Sequence, residues 1–209
     1  MVSCLHGFFA SLVAEGKLAE DPSENLSGAK VGRDAAKREA LPPLTDREQK
    51  ALLSAVTGED FLSLRDRAIL SLLLSTGLRT GELLKIHIRD IDFPTDFVKV
   101  CPGEEGKREV PFTGETEEAL RAYIGEGRGI FLSRNSLLFL NRDREPISRQ
   151  GVWKLVRKAG ERAKIPGAVT PARIRRSVAA MLIARGVPER KIAQILGWKV
   201  GAGEGEDTP

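Results

Sequence analysis

The chain has 209 residues, of which 41% are hydrophobic and 30% charged, with 21 Gly and 11 Pro; that is enough for one sizeable core and too balanced for a disordered or fibrous protein. Its longest mainly apolar run, residues 68–74, falls far short of the roughly 20 residues of a membrane span. The start lacks the basic region and cleavage site of a signal peptide, so a cytoplasmic location without membrane contact is expected. Net charge is only +4, yet residues 142–199 hold 15 basic against 4 acidic side chains. A field concentrated in the C-terminal third suggests a polyanionic partner, nucleic acid first among them, with a solvated basic surface as the plainer alternative. Cys4 and Cys101 lack CxxC spacing, and His6 and His87 have no ligand pattern around them, so neither a structural disulfide nor a zinc site is expected.

In chain order, Leu5, Phe8, Phe9, Leu12 and Val13 recur at helical spacing and stop near Gly16. A lone helix cannot bury its own apolar face. Residues 1–40 therefore read as the remnant last helix of an earlier domain followed by a linker. Thr45 with Glu48 three residues later forms a capping box that opens a helix through Val56. Residues 61–74 form a second, strongly apolar helix that Gly77 ends, and helical character resumes over 79–88. Phe97, Val98 and Val100, then a turn, then Val110 and Phe112 predict an antiparallel hairpin. A short helix is expected over 115–124, a strand over 137–140, and a helix capped by Ser148. Thr170 caps a further helix with Pro171 at its first position, where a missing N–H costs nothing. That helix stops at Gly186, and another runs from Pro188 to Gly197. The tail 200–209, made of Gly, acids and Pro with little that is apolar, is expected to be disordered.

Three short patterns carry chemistry: TGLRTGEL at 76–83, TPARIRRS at 170–177 and LGW at 196–198. An arginine just after a glycine-containing turn, as Arg79 is, presents its fork of N–H donors to a phosphate in bidentate fashion. Arg175 is the candidate second clamp. Two guanidiniums on one phosphate would neutralise the charge that builds on its equatorial oxygens during transfer.

At these residues the sequence resembles the tyrosine recombinase, or phage integrase, family from about residue 41 to Trp198. The resemblance implies an α+β, mainly α-helical catalytic domain with a small antiparallel sheet over 41–199, cut short at both ends. It implies site-specific recombination or integration of double-stranded DNA without a metal or other cofactor, with self-association or a partner recombinase on the DNA. By the same resemblance Arg79 and Arg175 match the two catalytic arginines, and Lys107 matches the lysine that protonates the leaving 5′ oxygen. Trp198 matches the His or Trp that donates to the scissile phosphate, and Glu82 the carboxylate that supports the site. Arg173, Arg176, Lys191 and Lys199 are expected on DNA.

Two departures from the family pattern bear on activity. HxxR falls on Ala172-Arg173-Ile174-Arg175, and the Ala172 methyl cannot exchange a proton. No tyrosine follows the LGW motif; the only one is Tyr123, whose helical spacing makes it a packing residue. Strand cleavage by this chain is therefore not expected, because a covalent intermediate needs a nucleophile. Plainer readings stand beside each site residue: Arg79 and Arg175 as surface cations, Lys107 as an ordinary hairpin lysine, Trp198 as a core anchor. The alternative function is a transcriptional regulator in which residues 179–193 form a helix-turn-helix and Lys191, Gln194 and Lys199 contact DNA.

Overall fold

The computed structural model describes residues 41–101, 107–128 and 136–198, all within the unit that begins at Leu41. The expected helix around Leu5 to Val13, the linker to Ala40, Lys199 and the tail lie outside the described residues. The described elements are α1 (Asp46–Ser54), α2 (Phe61–Thr76), α3 (Thr80–Leu83), β1 (Ile91–Asp92), β2 (Phe97–Val100), β3 (Arg108–Pro111), α4 (Gly114–Ala122), α5 (Arg149–Arg162), α6 (Pro171–Ala184) and α7 (Glu189–Leu196). The class is helical with one small antiparallel sheet, in the order β1-β2-β3.

Local chemistry sets most boundaries. Thr45 and Glu48 form the reciprocal capping box of α1, and the Asp60 carboxylate accepts from the N–H groups of Leu62 and Ser63 to start α2. Ser148 caps α5 through Gly151 N–H, and Thr170 caps α6 through Arg173 N–H with Pro171 in the first turn. Helix α2 is apolar nearly all round because it is central. Ile69, Leu70, Leu72 and Leu73 are fully buried, and its neighbours are α1, α4, α5, α6 and β3. Each fully buried side chain of this kind contributes about 2 kcal/mol. The core continues through Val98, Val100 and Val110 of the sheet, Leu120, Val152, Val156 and Ile174; a smaller cluster of Val178, Ala179, Ile192 and Leu196 joins α6 to α7. The hairpin pairs Val98 with Val110 and Val100 with Arg108.

Three expected elements differ. Helical character after Arg79 lasts only through Leu83. Beyond it the backbone turns so that Ile86 O accepts from Leu138 N–H at 2.7 Å and Ile88 N–H donates to Ser136 O at 3.1 Å. The expected strand 137–140 is accordingly reduced to isolated bridges, His87 with Leu137 and Leu140 with Pro146. The helix expected over 115–124 instead ends at Ala122 and passes into a π-helical turn, Tyr123–Arg128.

Tyr123 is fully buried, with its ring stacked on Phe139 at 5.7 Å between centroids and tilted against Phe61 at 5.9 Å. Its hydroxyl accepts from Leu140 N–H at 3.2 Å. Burial pushes the phenol above its ordinary value, outweighing that bond and the positive charges of Arg128, Arg65 and Arg144. Tyr123→Phe leaves the buried Leu140 N–H without its acceptor and is expected to cost about 1–3 kcal/mol in urea unfolding. A neutral substitution would place the hydroxyl elsewhere.

Candidate functional site

The site is assembled at two helix ends that only glycine can form. Gly77 stops α2 in the left-handed conformation, φ 63°. A Cβ there would stand 2.7 Å from Leu196 Cδ2 and 3.2 Å from Val178, so the turn seats the end of α2 directly on α6 and α7. Gly197 stops α7 in the same way, φ 64°, and a Cβ on it would meet the Arg108 guanidinium carbon at 2.8 Å. Arg79 then caps the four-residue α3, where its backbone N–H donates to Glu82 Oε2 at 2.7 Å.

Three guanidiniums converge on the last turn of α7. Arg79 Nη2 donates to Gly197 O at 2.8 Å and Nη1 reaches Glu82 Oε1 at 3.4 Å. Arg175, a hundred residues away in sequence, donates from Nη2 to Leu196 O at 2.5 Å and from Nη1 to Gly77 O at 2.6 Å. Arg108 donates from Nε to Ile195 O at 2.9 Å and grips both Glu82 oxygens through Nη1 and Nη2, each at 3.0 Å. Orphan carbonyls at a helix C-terminus attract cations. Here three successive carbonyls each receive an arginine from a different element. The Arg79 side chain is 52% exposed and that of Arg108 only 7%, so Arg79 opens to solvent while Arg108 lies beneath it.

The charges are coupled. Burial raises the Glu82 carboxyl, but hydrogen bonds from Arg108 and the Arg79 N–H, with the charges of both arginines, overcome this and hold it below the ordinary carboxylate value. Arg175 is pushed below its ordinary value first by burial, then by the positive charges of Arg79 and Arg108, against the opposing pull of Glu82. Three cations near one carboxylate leave an excess of positive charge at this end of α7, a setting in which an anion is favoured.

The remaining candidates are distributed unevenly. Trp198 follows Gly197 directly, is 42% exposed, and its backbone N–H donates to Ala193 O at 2.9 Å. Lys107 is exposed one residue before β3. Ala172 is exposed in the first turn of α6. Lys191 is exposed on α7, and Arg176 is exposed while donating to Leu41 O at 3.1 Å. Arg173, expected on DNA, is instead an interior anchor. It is 3% exposed and donates to Pro42 O and Pro166 O, each at 2.9 Å; its fork ties the segment before α1 to α6 and faces no solvent.

Sequence reasoning passed over two features. Arg108 shares strand parity with buried Val110 and Phe112, and that period of two is the signal that points it inward. Helix α5 exposes Arg149, Trp153, Lys154, Arg157 and Lys158. Arg157 lies over the Trp153 ring at 5.4 Å. A Cβ on Gly81, within α3, would meet Arg149 Nη2 at 3.0 Å, so this basic face begins beside the arginine cluster.

Residues 43–202 match the model of the phage integrase family. The chain belongs to that family. It is 32% identical over 199 residues to the tyrosine recombinase XerD of Halalkalibacterium halodurans, covering 94% of this chain and 64% of that protein. To the tyrosine recombinase XerC of Roseiflexus sp. it is 33% identical over 202 residues, covering 94% and 62%. The chain thus spans somewhat less than two thirds of these relatives. The crystal structure of the XerA recombinase superposes with a TM-score of 0.69 at 30% identity, over 76% of this chain and 57% of that one. A lambda integrase dimer bound to a core site shares the fold, with a TM-score of 0.63 at 19% identity over 96% and 55%. Among the described residues of this family member, no helix is long and apolar enough to cross a membrane.

Glu82 provides a pH signature. Its folded pKa is depressed, so its contribution is complete above the ordinary glutamate value of about 4.3 and is lost as pH falls through the folded value. Glu82→Gln is expected to lower stability by about 3 kcal/mol at neutral pH, and the deficit should shrink as the pH drops below about 4. Urea titrations of both proteins across that range measure it. A deficit independent of pH would mean that the carboxylate is not the ion-paired group.

Proposed function

We propose that this chain is the phosphate-clamping and DNA-binding part of a tyrosine site-specific recombinase or integrase. One observation carries the reading: Arg79 and Arg175, from motifs far apart in sequence, bring their guanidiniums to the consecutive carbonyls of Leu196 and Gly197, with Trp198 next in the chain. Arginine forks arranged in this way can exchange carbonyl partners for the oxygens of a phosphodiester, and their positive charge is worth most when the phosphorus becomes five-coordinate and its equatorial oxygens gain charge. Trp198 supplies an indole N–H as a further donor and Lys107 an ammonium on the hairpin as a proton donor to a leaving oxygen.

The partner is double-stranded DNA. The exposed cations of α5, contiguous with the clamp through Arg149 and Gly81, supply sequence-independent backbone attraction, and Arg176 and Lys191 add to it. Self-association on the duplex is part of this reading, in line with the lambda integrase of the same fold that is a dimer bound to a core site, and a cytoplasmic location goes with this partner. The regulator alternative is less favoured, because the end of α7 is locked by Arg79, Arg108 and Arg175 into a composite site that a helix-turn-helix does not require.

Strand cleavage is not within the reach of these 209 residues by themselves. Their single tyrosine, Tyr123, is sealed in the core, and Ala172 stands where the family pattern has a proton-handling side chain. A phosphate held by arginines is inert without an attacking group.

Two experiments test this reading. Duplex binding should weaken steeply with salt, and Lys154→Ala with Arg157→Ala should reduce the slope of log K against log salt by about 0.9 per contact removed; a flat dependence removes DNA as the partner. On a nicked suicide duplex the chain should bind without forming a DNA-linked band on a denaturing gel. A linked band that disappears in Tyr123→Phe would overturn the assignment of Tyr123 to the core.

A further inference from the structure

We propose that Arg108 is a positioning residue for the phosphate clamp: without touching phosphate itself, it fixes Arg79 and the last turn of α7 in the geometry that the clamp needs. The proposal rests on the reading of Arg79 and Arg175 as that clamp. Its observations are separate. The Arg108 side chain is 7% exposed, too deep to meet a DNA backbone, and its three nitrogens reach two elements at once. Nη1 and Nη2 hold Glu82 edge-on at 3.0 Å, and Nε holds Ile195 O at 2.9 Å. Glu82 in turn accepts from the Arg79 backbone at 2.7 Å and meets its guanidinium at 3.4 Å, so the carboxylate that Arg108 orients is the one that orients Arg79. From the other side, Ile195 precedes the two residues whose carbonyls receive Arg175 and Arg79, and Gly197 lies flat against the Arg108 guanidinium, with room there only for a hydrogen.

One planar cation therefore sets both the donor and the helix end to which that donor is held. A lysine keeps the charge but cannot make a bidentate grip and a third, divergent bond together. A fork that orients a clamp from beneath acts through geometry, and a small displacement of groups that must converge on one phosphate is costly in affinity. The glycine of the LGW motif acquires a second reason beyond its left-handed φ: any side chain there would displace Arg108.

The test titrates inorganic phosphate into wild type, Arg108→Lys and Arg108→Met, following the Nε–Hε resonances of Arg79 and Arg175 by NMR, with unfolding temperature and near-UV circular dichroism measured in parallel. In folded Arg108→Lys both resonances should move before any phosphate is added, and phosphate affinity should fall at least about tenfold, with Arg108→Met, if it folds, weaker still. If Arg108 merely supported the fold, the variants would lose stability while their folded fraction bound phosphate as wild type does. Unmoved resonances with affinity within about twofold of wild type would overturn the proposal. Failure of wild type to bind phosphate would instead strike the clamp reading, and the resonances of Arg79 and Arg175 in Arg108→Lys would still decide whether Arg108 positions them.

Discussion

The buried pair between Glu82 and Arg108 is the interaction on which the site depends. Two oxygens and two nitrogens at 3.0 Å, almost out of contact with water, join α3 to β3, and the third nitrogen of Arg108 extends the link to α7. A buried pair of this kind gains little net stability over an apolar contact of the same shape, since desolvation offsets most of the Coulomb attraction. Breaking it by removing one partner leaves a charge stranded beneath Arg79, which costs much more. The pair is better understood as a device that fixes three elements in one arrangement than as a source of stability.

That arrangement solves two problems with the same groups. The last carbonyls of a helix lack intrahelical partners, and the end of α7 is only partly open to water. Arginines from β3, α3 and α6 satisfy Ile195, Gly197 and Leu196 in turn. The result is a cluster of three guanidiniums at one helix end, of which Arg79 is the exposed one. On the proposed reading, helix termination and phosphate recognition draw on one set of side chains, and the glycine turns at Gly77 and Gly197 let the backbones approach closely enough for this.

Basic residues of the C-terminal third serve different ends despite their common charge. Arg149, Lys154, Arg157 and Lys158 form a solvated face on α5, where charge acts at long range and in a salt-dependent way. Arg173 is enclosed by carbonyls of Pro42 and Pro166 and holds the chain entering α1 against α6. A count of charges places a field in a region of the sequence; it cannot sort cations that face solvent from those that replace backbone hydrogen bonds.

What the sequence determined by itself were features written in local spacing. The caps at Thr45, Ser148 and Thr170, the stops at Gly77, Gly186 and Gly197, and the hairpin about Val98 and Val110 all depend on short-range patterns, where backbone chemistry dominates. The three motifs marked Arg79, Arg175 and Trp198, and the structure brings their helix ends together. Only the tertiary structure decided the rest. Residues 84–87 leave the helix as Ile86 and Ile88 find backbone partners at Leu138 and Ser136, about fifty residues on, and Arg173 turns inward because a distant segment offers it carbonyls. Arg108 becomes the centre of the site because Glu82 and Ile195 arrive from opposite sides of it. Each of these outcomes is a competition between local preference and a hydrogen-bonding partner that folding alone delivers.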